Sequence, residues 1–414
     1  PQHLWAAAVE ELDRALGSAA FRLAFLADPR PDRVEPFRAA LRAHWAKRPV
    51  ADHKEARAAL RRLGAQAQDY FALRAPAALA VEAASGACCG LDEYTVFVAP
   101  TAGAEPSPLA ELAAGGLYLG VSKDALVVQG IAPNSWVALT CPQLRRGDRV
   151  VRVNGRPTDG GELSAAAAAL RAPADGAHTI DVRGAEDDAK IQARIPTAVP
   201  SVYGTRVLPD RPVGYTRIGA FQPSTPRDLD DALAALKAAG ARSAVIDLRG
   251  NHGGSFLAAV ETARRLLPAG VIVTTQGQAA EVANRVYTSS TGMAAHDIPL
   301  VLLTDAETAS AAEVLAAALK DNGRATLVGM PSFGKGTMQY PLRLVALDEV
   351  DPATGRKVNK TGVVRVTIAR LIAPTSGPIT GAGVAPHFVE PDPTLQLELA
   401  ADKAEELSSG PMTP

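Results

Sequence analysis

Between residues 213 and 328 the chain alternates short, largely apolar runs with stretches of helical pattern. Val213–Ile218, Ala244–Arg249, Val271–Thr274, Leu300–Leu303 and Ala325–Val328 read as strands, with helical patterns at Asp228–Ala239, Phe256–Leu267 and Ala311–Lys320 among them. Runs this short, apolar on both faces and bounded by turns, fit strands of a parallel sheet covered on both sides. Strand and helix in alternation argue a layered α/β architecture. At 414 residues the chain is too long for one ordinary domain, so two or three are expected.

Composition narrows the function classes. With 47% apolar and 21% charged residues the chain reads as globular. Its net charge of −1 gives no electrostatic case for nucleic acid or an anionic membrane as a partner of the whole chain. Apolar runs stay short of the roughly 18 residues a spanning helix needs. Pro1-Gln2-His3-Leu4-Trp5 shows neither a basic n-region nor an apolar h-region, and no initiator Met starts the chain, which leaves room for a removed signal. Cys88, Cys89 and Cys141 make no disulfide framework and no metal-ligand spacing, so they are expected as small core residues, with no metal and no cofactor.

The residues able to carry chemistry lie at the strand ends. Ser310 stands between the Leu300–Leu303 run and the Ala/Leu-rich stretch after it. A serine at the head of a helix sits beside N–H groups that favour developing negative charge. Lys335 follows in a loop, with glycine on both sides. A serine hydroxyl is a weak nucleophile until a base takes its proton. A lysine is such a base only when neutral, which requires its reference pKa of about 10.4 to be lowered by burial or nearby positive charge. Upstream, Gly250-Asn251-His252-Gly253-Gly254 joins a strand to a helix, and glycines there let backbone N–H groups converge on an anion. Each piece alone has a plainer reading: Ser310 as a helix cap, Lys335 as a solvated charge, the glycines as a tight αβ turn.

Together these blocks resemble the C-terminal processing peptidases, Ser/Lys proteases of family S41 that carry a PDZ domain. Thr308-Ala309-Ser310-Ala311-Ala312-Glu313 and Phe333-Gly334-Lys335-Gly336-Thr337-Met338-Gln339 look like the two signature blocks, with Thr308 where a Ser is more usual. The resemblance implies Ser310 as nucleophile, Lys335 as base and Gln339 as a neutral orienter of the amine. It also implies an oxyanion hole built from Gly253 or Gly254 with the Ala311 N–H. His252 stands where the family usually has Pro; it receives no role, though it and His296 are the histidines that could compete as base. Asp321 matches an acidic position of the family block, and His387 replaces the Asp of the closing segment Gly381–Pro386.

The same resemblance organises the remainder. Residues 1–88 read as helices, at Leu4–Leu16, Pro36–Trp45, Lys54–Leu63 and Ala72–Ala84, and the family's helical N-terminal part packs on a partner subunit, so a homodimer is compatible. Gly90–Phe97 resembles the segment that leads into the PDZ domain, with Asp92 read as a turn residue. Residues 112–198 look like the PDZ domain itself, from Leu144–Gly155 and the strands around it, with a helix expected at Gly161–Leu170. Gly116-Leu117-Tyr118-Leu119-Gly120 would be its carboxylate loop, binding protein or peptide C-termini by strand addition. Ser135-Trp136-Val137 departs from the usual small-residue pattern there, and Trp136 reads as core. The expected fold is α/β multidomain: a layered ClpP/crotonase-like peptidase core (89–111 and 199–395) with an inserted PDZ domain and a C-terminal helix and tail at 396–414. The expected activity is serine endopeptidase cleavage near protein C-termini, extracytoplasmic by resemblance. The rivals are a catalytically silent PDZ-containing peptide-binding scaffold, and a nucleotide site at Gly329–Lys335, whose G-x-x-x-x-G-K is followed by Gly336 rather than the Ser or Thr that magnesium needs.

Overall fold

A computed structural model describes residues 1–75, 77–99, 115–122, 125–133, 135–158, 176–185, 187–277, 284–290, 296–343, 348–350, 357–359 and 362–409. These fall into two compact units, Pro1–Gly103 with Thr337–Ala369, and Ala104–Gly336 with Arg370–Pro414.

The second unit holds the parallel sheet anticipated from the apolar runs. Its strands lie in the order Phe388–Val389, Ala325–Gly329, Leu300–Thr304, Ser243–Asp247, Val213–Ile218 and Val202–Val207. All neighbours are parallel except the last pair, which is antiparallel. Thr216, Ile246, Leu302 and Leu327 stand side by side in one register row. Ile246, Leu302 and Leu327 are fully buried, each side chain contributing about 1.5–3 kcal/mol of transfer free energy. On one face Tyr215, Val245, Val301, Leu303 and Val328 pack against Ala400, Ala401 and Ala404 of the helix Pro393–Ser409. Helices Thr225–Ala238, Phe256–Leu266 and Ala311–Asp321 alternate with the strands, as the pattern required. Asn322 ends the last of these, with Gly323 beyond it at φ 65°.

The same unit contains an antiparallel sheet in the order Leu117–Ser122, Ala125–Ile131, Arg149–Val153, Ala177–Arg183 and Lys190–Pro196. Leu117, Val128, Val137, Val153, Ile180 and Ile195 form its own core, and the short helix Trp136–Thr140 packs on it. Trp136 is only partly buried, at the margin of that core. The helix expected at Gly161–Leu170 lies outside the described residues.

The first unit is mostly helical. Gln2–Gly17, His53–Phe71 and Ala77–Cys89 bury Trp5, Leu12, Leu16, Leu63, Phe71 and Leu79. The helix expected at Ala72–Ala84 begins later. Ala72 adopts φ 50° and caps the preceding helix, and Leu73 bridges to Leu26, so the chain turns before a new helix starts at Ala77. The helix expected at Pro36–Trp45 starts earlier, at Pro31, and ends in a π-turn at Leu41–Trp45. Strand Val96–Val98 pairs antiparallel with Val363–Arg365 in the same unit. Among the described residues no helix is long and apolar enough to cross a membrane.

Candidate active site

Ser310 precedes the helix Ala311–Asp321 at φ 58°, ψ −118°, a conformation that L-residues with a side chain rarely hold. Its N–H donates to Glu313 Oε2 at 2.8 Å. Glu313 is fully buried, and three further donors reach it from the glycine-lysine loop. Ser332 Oγ and the Gly334 N–H reach Oε1, each at 2.6 Å, and the Lys335 N–H reaches Oε2 at 2.8 Å. One carboxylate oxygen thus accepts from the backbones of both Ser310 and Lys335. Their nitrogens can be no further apart than two hydrogen bonds laid end to end.

The closing segment holds the lysine loop from its other side. The Val384 N–H donates to Ser332 Oγ at 2.7 Å, and the Gly381 N–H donates to the Gly334 carbonyl at 2.9 Å. A Cβ at Gly336 would lie 2.4 Å from the Thr380 nitrogen, so the loop passes where only glycine fits. After Gly336 the chain enters a strand, Thr337–Arg343, rather than the helix a phosphate-binding loop requires.

The glycine turn after Asp247 lies against the Ser310 turn. Gly253 has φ 97°, and a Cβ there would sit 2.9 Å from Ala311 N, Ala309 O and Ser310 Cβ alike. The Gly253 N–H donates to Asn251 Oδ1 at 2.8 Å, while the bridge to Phe221 uses the Gly253 carbonyl and the Ser255 N–H. That bridge leaves the Gly254 N–H out. Ala311 is buried and is the first residue of its helix, where an N–H has no intrahelical acceptor. Asn251, fully buried, donates to the Ile218 carbonyl and accepts the Ala309 N–H on its own carbonyl, joining strand end, glycine turn and serine turn. Thr308 keeps the hydroxyl noted in the sequence for a structural bond, donating to the Leu248 carbonyl at 2.9 Å.

Beneath the glycine turn Asp247 is fully buried between Arg249, 2.7 Å away, and Arg217, 3.2 Å away, and it accepts the Tyr215 hydroxyl at 2.9 Å. Burial alone would raise the Asp247 carboxyl; the two guanidiniums override it and hold it below the usual range. Burial, with the Asp247 charge, pushes the Tyr215 phenol well up. Arg249 also reaches the Pro393 carbonyl and Gln396 Oε1, fixing the turn to the C-terminal helix.

The other residues singled out in the sequence are placed as follows. Gly116 and Tyr118 line a cavity of about 850 Å³ together with His252, Arg217 and Asp305. Leu117 is fully buried in the antiparallel-sheet core, and Leu119 packs on it partly exposed. His252 is exposed, and no hydrogen bond ties its ring to Ser310 among the described residues. His296 Nε2 lies 2.8 Å from Asp230 Oδ1 on the helix Thr225–Ala238. Asp321 caps the turn at Thr375–Ser376, accepting both backbone N–H groups and the Ser376 hydroxyl. In the first unit the Gln339 side-chain amide donates to the Tyr94 carbonyl, and Asp92 accepts from Tyr94, Thr95 and Thr367. Among the described residues no cluster of His, Cys, Asp or Glu could hold a metal. Sequence reasoning passed over Glu313, Asn251 and Asp305 as functional positions. Only Glu313 carried a signal, as the third residue after Ser310 in a capping-box spacing.

The α/β sheet thus carries a strained serine at a helix head, with a lysine loop clamped to it through Glu313. Residues 212–389 match the model of peptidase family S41. The chain is 30% identical over 308 residues to the carboxyl-terminal-processing protease of Picosynechococcus sp., covering 72% of this chain and 70% of that one. It is 30% identical over 292 residues to the protease of the same name from Synechocystis sp., covering 69% of this chain and 64% of the relative. With the chloroplastic carboxyl-terminal-processing peptidase 1 of Arabidopsis thaliana it shares 30% identity over 311 residues, 72% of this chain and 59% of the other. Among solved structures, a photosystem II D1 C-terminal processing protease aligns over 99% of this chain and 97% of its own, at 24% identity and a TM-score of 0.44. The chain belongs to peptidase family S41. It spans between about three fifths and about seven tenths of the length of these curated relatives.

Proposed function

We propose that this chain is a serine endopeptidase that cleaves proteins near their C-termini through an acyl-enzyme formed on Ser310. The observation that carries the reading is the shared Glu313 oxygen, which brings the Ser310 and Lys335 backbones to one point. Ser310 Oγ attacks the peptide carbonyl while neutral Lys335 takes its proton; the same amine protonates the leaving nitrogen and then activates the water that releases the acyl group. The tetrahedral oxyanion is met by the Ala311 N–H and by the Gly253–Gly254 turn. Within that turn Gly254 is the better donor, because Asn251 already accepts the Gly253 N–H. For Gln339, four residues beyond Lys335, family resemblance alone supplies the orienting role.

The antiparallel-sheet module serves as a PDZ-like domain that takes the substrate's C-terminus at Gly116–Gly120. Gly116 and Tyr118 share the 850 Å³ cavity with His252 of the oxyanion turn, which supports a route from one to the other. The relatives' printed names describe carboxyl-terminal processing, which agrees with a substrate read from its end. An extracytoplasmic location follows from the family resemblance.

The test is cleavage of an unstructured protein by wild type, Ser310→Ala and Lys335→Ala, with a chelator control. Chelator-insensitive cleavage lost in both variants supports the Ser/Lys reading. Cleavage that survives Lys335→Ala and disappears in His252→Ala moves the base to the histidine. Binding of C-terminal peptides without cleavage by wild type favours the silent scaffold.

A further inference from the structure

The antiparallel-sheet module carries a groove of about 620 Å³ that the peptidase chemistry does not use. Arg149, Arg152, Arg183 and Lys190 line it, against a single acid, Asp181. The register makes the concentration of charge specific. Arg149 pairs with Arg183, and Arg183 pairs with Lys190, so three cations stand directly opposite one another across three neighbouring strands. Like charges directly opposite in an antiparallel pair destabilise the sheet.

Local ion pairs relieve little of this. Arg183 reaches Asp188 at 2.7 Å, and Asp181 is engaged by the Gln192 amide at 2.8 Å. The side chains of Arg149, Arg152 and Lys190 make no ion pair or hydrogen bond among the described residues, beyond the sheet pairing of their backbones. Protection of a sheet edge would account for Lys190, which lies on the edge strand Lys190–Pro196. It does not account for Arg149 or Arg183, which lie on interior strands of the same sheet. The chain as a whole is close to neutral, at −1, so the cluster is a local asymmetry and not the by-product of a basic composition.

We infer that this groove binds an acidic, extended segment of a protein partner. Guanidinium groups match carboxylates with two parallel hydrogen bonds. Cations one strand apart are about 4.8 Å from each other, and side chains on one face of an extended peptide recur about every 6.7 Å, so a run of glutamates can reach successive cations. The partly buried Val151 and Ile191 give the groove an apolar floor for the stems of those side chains. The Gln192 amide keeps a second N–H, beyond the one given to Asp181, for a peptide carbonyl. A nucleic acid fits less well, because no aromatic ring lines the groove to stack a base. A bilayer fits less well, because the cations lie in a recess and no large exposed apolar side chain stands among the lining residues to insert. The groove is distinct from Gly116–Gly120, so acidic recognition would add to whatever that loop takes.

The test is fluorescence anisotropy on the full chain with a labelled oligoglutamate peptide, amidated at its C-terminus so that no free carboxylate enters the Gly116 loop. An oligoglutamine peptide is the reference. The oligoglutamate is expected to bind at least ~10-fold more tightly than the reference at about 50 mM salt, and to lose about that factor by about 300 mM. The Arg149→Gln/Lys190→Gln pair should abolish the preference, while Arg227→Gln, an exposed cation on a helix elsewhere, should leave it intact. Equal binding of the two peptides overturns the proposal, and so does unchanged binding by the pair variant. Tighter, displacing binding of a single-stranded oligonucleotide or of anionic vesicles also overturns it. The assay does not depend on turnover, so a chain that cleaves nothing removes the peptidase reading and leaves this result standing.

Discussion

The Gly250 N–H donates to both carboxylate oxygens of Asp305, at 2.9 and 3.0 Å. This pins the start of the glycine turn to the start of the serine turn. Asp305 also accepts the Glu307 and Thr308 N–H groups, so one side chain sets the shape of the segment that delivers Ser310. Asp305→Ala frees both turns without touching Ser310 or Lys335. It is expected to lower kcat about 100-fold, the size of effect that a small misplacement of reacting groups produces. Steady-state kinetics on an unstructured substrate, with the unfolding midpoint measured alongside, check this; full activity in the variant would show that the serine turn holds itself.

Glu313 makes a second, sharper case. Four donors converge on its two oxygens, and every one needs an acceptor. Glu313→Gln keeps the volume but turns an amide N–H₂ toward one pair of those donors. The loop is then pushed from the serine, and kcat should fall by about 100-fold or more with KM nearly constant. Single-turnover acylation by a serine-directed probe reads the same change directly. A rise in KM at constant kcat would mean that Glu313 shapes substrate binding instead.

Much of this was legible in the sequence, for physical reasons that differ by element. The parallel strands are buried on both faces, so Leu300–Leu303 and Ala325–Val328 stand out as apolar runs whatever their partners. Ser310 and Lys335 sit in local strings with their own turn chemistry. Glu313 was visible as the end of the serine block, but its clamping role was not, because three of its four donors come from residues 332–335 and a contact across that separation leaves no periodicity. Asn251 and Asp305 were hidden in the same way. The late start of the helix at Ala77 was missed because the sequence signal for it, Pro76, was read through as part of one alanine-rich run, and nothing marks Ala72 as the left-handed position.

Gly253→Ala tests the approach of the two turns. The added methyl would lie 2.9 Å from the Ala311 nitrogen, and the backbone is held at φ 97°. Activity should fall about 100- to 1000-fold if the methyl blocks the Ala311 N–H, the proposed oxyanion donor. Gly240→Ala is the control, since Gly240 has φ 91° with nothing within 4 Å of the added atom. It carries the backbone strain of about 1–3 kcal/mol without the obstruction, so its stability should drop while turnover persists. Equal loss of activity in both variants would assign the effect to strain.

His387 gives a prediction in pH. Its ring Nδ1 accepts the Leu327 N–H at 2.9 Å, and the His387 backbone N–H donates to the Leu327 carbonyl at 2.9 Å, which holds the edge strand Phe388–Val389 on the sheet. Burial, aided by the nearby Lys320 charge, pushes the imidazole below its ordinary 6.5. In that window the unfolded chain binds more protons than the folded one, so stability rises with pH. The His387 contribution is complete above the ordinary value, declines as pH falls through 6.5, and is gone once the folded imidazole is itself protonated. Unfolding midpoints of wild type and His387→Gln, measured from neutral to mildly acidic pH, should therefore converge as pH falls. A constant gap across the series would mean that His387 acts by packing alone, with its bond to Leu327 indifferent to the proton.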